Sequence, residues 1–226
     1  MMGITNLQTV GLLIDIFAAA ILVTAFLIVS SRSLVFYIRL FALQSFSLGI
    51  VALLVVVGYG ETHILIAAAL TIVIKAIVIP LVLSKVIERI QVQKEVDFSI
   101  NITTSLLLCG GMVILADSVA QSILNSQQAN APAVSRVLSA SIAVMLIGLF
   151  IMMTRKKAVT QIIGLLTMEN GVFLSGLSIT YGMPMIIEVG IFFDILVAVL
   201  ILGVFVFRIN KTFESISIDS FRGLRH

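Results

Sequence analysis

Three charged residues in the middle of long apolar stretches are the first candidates for chemistry. They are Lys75 in LTIVIKAIVIP, Glu169 in QIIGLLTMENGVFLSG and Asp194 in VGIFFDILVAV. A charged side chain at the centre of a bilayer costs about 2.5–3.5 kcal/mol on insertion scales, so it usually faces other helices or water and marks an ion or proton path. The three residues therefore predict a polar path inside a membrane.

Each of these charges also has a structural interpretation. Glu169 could be a neutral acid that is hydrogen-bonded to a neighbouring helix, although several charges at one depth favour a proton-carrying carboxylate. Lys75 could hold helices together through an ion pair with Glu169 or Asp194, and pairing is compatible with proton transfer. Pro80 cannot donate to the carbonyl of Ala76, which predicts a helix kink there that exposes backbone oxygen.

Further polar residues could extend or support this path. Glu188 lies six residues before Asp194 and about 120° away around a helix, so it is either an entrance to the path or an interface residue. His63, at an outer helix end, could relay protons or simply be solvated. Gln44 and Asn170 are interpreted as accessory groups that hydrogen-bond between helices.

Other residues receive structural interpretations. Asp15 and Asp117 lie near the predicted outer ends of spans, where water or headgroups reach them. The pair Gly110 and Gly111 predicts close helix packing.

The composition requires a membrane around these residues. The chain has 226 residues, of which 60% are hydrophobic and only 11% are charged, so it is too apolar for a soluble domain of this size. Apolar runs of about 20 residues favour helices over a barrel, whose strands alternate over about 10 residues. The chain is thus predicted to be an all-α integral membrane protein with seven transmembrane helices, at about 9–30, 34–57, 62–85, 98–120, 134–154, 158–180 and 184–208.

The basic residues predict the orientation. Twelve of the fourteen Lys and Arg lie in the loops after spans one, three and five or in the tail after span seven. Since basic residues mark the cytoplasmic side, the N-terminus is predicted outside and the C-terminus inside, in the cell membrane. The net charge of +3 is then explained by topology and lipid attraction, and nucleic-acid binding is not expected.

The chain also resembles a duplication in a weak parallel 3+1+3 repeat. Both units have an Arg after the first span (Arg32, Arg155), a polar residue in the second, Tyr-Gly at the outer turn and a charge in the third. This divides the chain into a first three-helix unit at 1–97, a linking span and outer loop at 98–133, a second unit at 134–208 and a cytoplasmic tail at 209–226.

The sequence lacks the ligands of the common membrane redox cofactors. Its single cysteine, Cys109, excludes a disulfide within the chain and a cysteine-ligated iron–sulfur cluster, and its two histidines leave a membrane haem without ligands. We therefore expect no cofactor, no metal and no catalytic residue in this chain.

Four segments resemble a known family. FYIRLFALQSFSLG, IVIKAIVIPLVL, QIIGLLTMENGVFL and MIIEVGIFFDILVAVLILGV are similar, in this order, to hydrogenase-4 component E, a membrane subunit of group 4, formate-hydrogenlyase-type [NiFe] hydrogenase complexes. The markers are K-x-x-x-x-P from Lys75 to Pro80, M-E-N-G from Met168 to Gly171, and E-x-x-x-x-x-D from Glu188 to Asp194.

The last three spans also resemble subunit K of respiratory complex I and its small membrane counterpart in the cation/proton antiporters that are built from several chains. That family carries a second-helix glutamate in G-L-E-x-M-x-N, but here Leu166 stands at that position and the acid follows one turn later as Glu169. The family's third-helix glutamate corresponds to Asp194.

The resemblance implies a non-catalytic subunit that links an ion-pumping subunit to a peripheral hydrogenase arm. Lys75, Glu169, Asp194 and Glu188 would then supply a proton or sodium path beside antiporter-like and complex I-like chains. The alternatives are a pure scaffold, in which the charges only hold the assembly together, and a free-standing transporter, which the weak parallel repeat disfavours.

Overall fold

The protein is a bundle of long helices throughout the part that the structure describes. A computed structural model describes residues 2–59, 64–90, 100–126 and 132–180. Its helices are α1 (Met2–Ser30), α2 (Leu34–Tyr59), α3 (Ile64–Leu70), a π-helical segment (Thr71–Val78), α4 (Ile79–Ile90), α5 (Ile102–Ser126), α6 (Pro132–Thr154) and α7 (Ala158–Thr180). The predicted seventh span, with Glu188 and Asp194, the tail and His63 lie outside the described residues.

Six helical spans within the described residues are long and apolar enough to cross a membrane. They are Gln8–Ser30, Leu34–Gly58, Ile64–Lys85, Ile102–Asn125, Ser135–Thr154 and Ala158–Ile179. The third comprises α3, the π-helical segment and most of α4 in one continuous run, which we call span three. The chain is therefore an all-helical, multi-pass membrane protein, as the sequence predicted, whereas the repeat and the orientation stay predictions.

The fourth span was predicted too early in the chain. It was expected at 98–120, but α5 spans Ile102–Ser126. Its polar end continues as a helix because the side chains bond along the helix itself. Ser122 donates to the Ser118 carbonyl at 2.9 Å, and the Gln121 amide donates to Asp117 at 2.7 Å. The predicted outer loop is shorter by the same residues.

Two tight hairpins form the centre of the bundle. The α1–α2 and α6–α7 turns are residues 31–33 and 155–157, so each hairpin holds its two helices together over their length. The hairpins pack on each other through α1 against α6 and α2 against α7, while span three lies against α2 and α5 lies against α6 and α1. This arrangement brings α2, α7 and span three together around the middle of the bundle.

Glycines allow the two helices of the second hairpin to touch through their backbones. A Cβ on Gly171 would lie 2.7 Å from the Met145 nitrogen and 2.8 Å from the Ser141 oxygen, and one on Gly148 would lie 2.7 Å from the Met168 Cα. Such distances leave no room for a methyl group. The close packing predicted at Gly110 and Gly111 is not found, because a Cβ there meets no described atom within 4 Å.

The π-helical segment keeps one face of span three turned into the bundle. Its buried residues recur every four positions, at Thr71, Lys75, Ile79, Leu83 and Ile87. In an α-helix of 3.6 residues per turn this spacing would drift by about 40° per step. The wider π turn, in which Ile79 N–H bonds to the Ile74 carbonyl five residues back, compensates for that drift.

The same widened turn lies where the sequence predicted a kink. Pro80 follows the π-helical segment by one residue and is buried in continuous helix. Because proline clashes with the carbonyl four residues back in a regular α-helix, widening the turn before it relieves the contact with Ala76. The bend itself stays a prediction.

The glycine contact gives a direct test of the α6–α7 packing. We expect Gly171→Ala to lower the stability of the purified chain by about 1–3 kcal/mol, because its methyl group would push the α6 backbone away. Gly110→Ala is the matched control and should have little effect. Thermal unfolding in detergent, followed by circular dichroism, measures both, and equal unfolding temperatures for the two variants would contradict this packing.

Candidate functional site: an intramembrane polar cluster

Lys75 and Glu169 form an ion pair inside the bundle. The Lys75 ammonium lies 2.8 Å from Glu169 Oε1, and the two side chains are only 2% and 5% exposed. The pair joins span three to α7, at the middle of both. The structural ion pair that the sequence left open is therefore present, and its Glu169 alternative is the one that the described residues show.

Asn170 connects this pair to α2. Its side chain is fully buried, and its Oδ1 accepts a hydrogen bond of 3.5 Å from the Lys75 ammonium. Its amide nitrogen donates to Gln44 Oε1 at 3.2 Å and to the Ser45 hydroxyl at 3.1 Å. We call Lys75, Glu169, Asn170, Gln44 and Ser45 the midplane polar cluster.

The cluster ends on the backbone of α1. Gln44 Nε2 donates to the Ile21 carbonyl at 3.1 Å, and the Thr24 hydroxyl donates to the same oxygen at 2.7 Å. Four spans thus contribute to one buried hydrogen-bonded group. This confirms that Gln44 bonds between helices, as its position in an apolar span predicted.

The surroundings of the cluster strengthen its electrostatics. Leu166 and Leu174, on the same helix as Glu169, and Leu48 of α2 are completely buried, so the neighbourhood is apolar. In such low-dielectric surroundings opposite charges attract strongly, but a charge that loses its partner is expensive to keep. The pair is therefore either kept together or separated only when another charge compensates.

A carboxylate in contact with an ammonium can do a limited set of chemistry. The two groups can exchange a proton along their 2.8 Å contact, and the balance between them responds to charges brought near from outside. Among the described residues no group of three His, Cys, Asp or Glu side chains could hold a metal ion. The geometry suits proton movement or helix anchoring.

The outer end carries a second ion pair, which the sequence analysis did not predict. Arg136 Nε donates to Asp15 Oδ2 at 3.0 Å, with 21% of the Asp15 side chain and 63% of the Arg136 side chain exposed. Asp15 was expected to meet water or headgroups alone, but it is paired across α1 and α6. The pair also explains why Arg136 departs from the cytoplasmic bias of the other basic residues.

Arg155 is the buried charge that sequence reasoning missed. It is 2% exposed, and its Nη2 donates to the Val29 carbonyl near the C-terminal end of α1 at 2.7 Å. The Tyr37 hydroxyl lies beside the guanidinium, and Gln161 donates to the Arg155 carbonyl at 2.9 Å. In the sequence Arg155 is the first of three consecutive basic residues in a turn, and nothing there separates it from Lys156, which is exposed.

Comparison with known proteins places the chain in a family. It is 31% identical over 217 residues to "Uncharacterized protein Rv0085" of Mycobacterium tuberculosis (strain ATCC 25618 / H37Rv). The chain belongs to the family of this mycobacterial protein. The alignment covers 95% of this chain and 97% of its relative, so it includes the whole midplane polar cluster.

Two other comparisons gave no match. No protein-family model matches the chain, and no solved structure is similar to it. The Rv0085 family is therefore the relationship on which the site can be tested further.

Substitution of one or both charges tests the ion pair. We expect Lys75→Met or Glu169→Leu alone to destabilise the purified chain by about 3–5 kcal/mol, because each leaves a buried charge without its partner. The double variant should recover most of that loss. Thermal unfolding of the three variants forms a double-mutant cycle, and additive losses would show that the two charges do not interact.

Arg155 has a natural control in its neighbour. Arg155→Met should lower stability by about 2–3 kcal/mol, because the Val29 carbonyl loses a charged hydrogen-bond donor. Lys156→Met removes the same charge from an exposed position and should change stability little. Denaturation in detergent compares the two, and similar values would mean that the buried contact contributes nothing.

Proposed function

We propose that this chain is a non-catalytic membrane subunit of a membrane-bound [NiFe] hydrogenase complex. Its intramembrane charges would form part of a proton or sodium path that is coupled to redox chemistry elsewhere in the complex. The observation that carries the ion-path part of the proposal is the Lys75–Glu169 contact at 2.8 Å, buried in the middle of the bundle. The hydrogenase part is supported by the resemblance of the M-E-N-G and K-x-x-x-x-P segments to hydrogenase-4 component E.

In this proposal the ion pair acts as a charge-sensitive element. Protonation of Glu169 from one side weakens its attraction for the Lys75 ammonium, and Lys75 can then release a proton to the other side. Asp194, in the predicted seventh span, is the proposed next carrier, and Glu188 and His63 are proposed near the outer end. Oxidation or reduction in a neighbouring subunit would act on this element through charge movement.

The topology gives the path its direction. Seven spans with the N-terminus outside and the tail from residue 209 in the cytoplasm place the basic turns on the inner face of the cell membrane. There Arg32, Lys156 and Lys157 would meet anionic lipid and the peripheral hydrogenase arm. Antiporter-like and complex I-like membrane chains are the proposed lateral neighbours, since a single subunit with one such pair could not cross the whole bilayer.

A scaffold function is the second candidate, and the same structure favours it in one respect. Lys75 contacts both Glu169 and Asn170, as expected for a structural anchor between helices. In that case the cluster would only hold span three in place, and loss of either charge would remove the subunit from its complex instead of stopping ion movement.

Purification from the native membrane tests the complex itself. After gentle detergent extraction, mass spectrometry should find a large nickel–iron subunit and antiporter-like chains with this protein. Recovery of the chain alone, or with unrelated partners, would contradict the hydrogenase assignment.

Glu169→Gln then separates the two candidates within the assembled complex. If the ion path is correct, the variant should assemble and keep electron transfer, while proton or sodium movement into vesicles falls at least about tenfold, because the amide cannot carry the proton. Asp117→Asn, exposed on α5, is the control and should pump normally. An assembled Glu169→Gln complex that pumps like the wild type would refute the path, and loss of the subunit would support the scaffold.

A further inference from the structure

The polarity of the midplane polar cluster is set by one atom that can only accept a hydrogen bond. The Ile21 carbonyl oxygen has no proton to donate, so the Gln44 atom that lies 3.1 Å from it must be the amide nitrogen. Consequently the other end of the Gln44 amide, its Oε1, points away from α1 and toward α7.

The orientation of Asn170 follows from that of Gln44. Because Gln44 Oε1 is an acceptor, the Asn170 atom at 3.2 Å from it must be the nitrogen, which also donates to Ser45 at 3.1 Å. Asn170 Oδ1 is therefore left on the side of span three, where the Lys75 ammonium lies at 3.5 Å. The reversed amide would direct N–H groups at an ammonium, which has only donors.

We infer that Gln44 is a positioning residue for Lys75, acting through Asn170. By holding the Asn170 amide with its oxygen toward span three, Gln44 keeps an acceptor on the ammonium and so keeps the ammonium against Glu169. Ser45 supports the same orientation as a second acceptor. Neither residue needs to touch Lys75 for this effect.

The same geometry assigns this arm a role different from that of the ion pair. Side-chain amides do not readily gain or lose protons, and the arm ends on the Ile21 carbonyl. Gln44 and Asn170 are therefore an anchor that does not conduct protons. Insofar as the proposed ion path is correct, protons at Lys75 and Glu169 must leave by another route than α1.

The test uses the infrared carboxylate band of Glu169 in the purified full chain, identified as the band that Glu169→Gln removes. Gln44→Met and Ser45→Ala together remove both acceptors of the Asn170 amide and should shift this band, with each single change giving a smaller shift. Thr24→Val is the control, because Thr24 uses the Ile21 carbonyl without holding Asn170 and should leave the band in place.

The decisive comparison repeats these changes in the Asn170→Leu background. If Gln44 acts through Asn170, Gln44→Met and Ser45→Ala should then add no further shift. A full shift in that background, or none in the wild-type background, would overturn the inference. If the double variant does not fold, Gln44→Met alone in the two backgrounds gives the same comparison. The band belongs to the isolated chain, so the result is independent of whether the assembled complex pumps ions.

Discussion

The cost of a bare charge in hydrocarbon governs this structure. Lys75 and Glu169 lie on spans far apart in the chain, yet they meet at 2.8 Å with almost no exposure. Breaking such a buried pair costs about 3–5 kcal/mol, a large part of a typical folding free energy of about 5–15 kcal/mol. The rotation and the depth of span three relative to α7 are therefore determined by this contact, and other features of the bundle make the contact possible.

Backbone geometry provides that support at two places. The π-helical segment keeps the face with Thr71 and Lys75 directed into the bundle, although the spacing of buried residues is too wide for a regular α-helix. On the opposite side, Gly148 and Gly171 let α6 lie directly on the backbone of α7. Helix association in lipid depends on such close packing because apolar side chains gain little by leaving the lipid tails. The carboxylate thus projects from a helix that is held firmly.

Helix α1 is anchored at three depths by polar contacts. Asp15 pairs with Arg136 near the outer end, the Ile21 carbonyl accepts from Gln44 in the middle, and the Val29 carbonyl accepts from Arg155 near the inner end. With about 1.5 Å of rise per residue, these contacts are separated by about 9 and 12 Å along the helix. Two of them use backbone carbonyls, so α1 holds the two hairpins in register without placing a charge of its own at the midplane. Such a frame suits an ion path and a scaffold equally, and the proposed function rests on what Glu169 does within it.

The sequence by itself determined the class of protein and most of the helices, because composition and run length decide whether a chain enters a membrane and where it crosses. It also identified Lys75, Glu169, Asn170 and Gln44, since polar residues in apolar spans are conspicuous. Only the tertiary structure decided their partners, because four spans must meet before Gln44 can be seen to orient Asn170. It also decided the role of Arg155, which nothing local distinguishes from Lys156, and it placed the close glycine contacts at Gly148 and Gly171 rather than at Gly110 and Gly111. Spacing along one helix shows which residues share a face, but the neighbour that covers that face comes from a distant part of the chain.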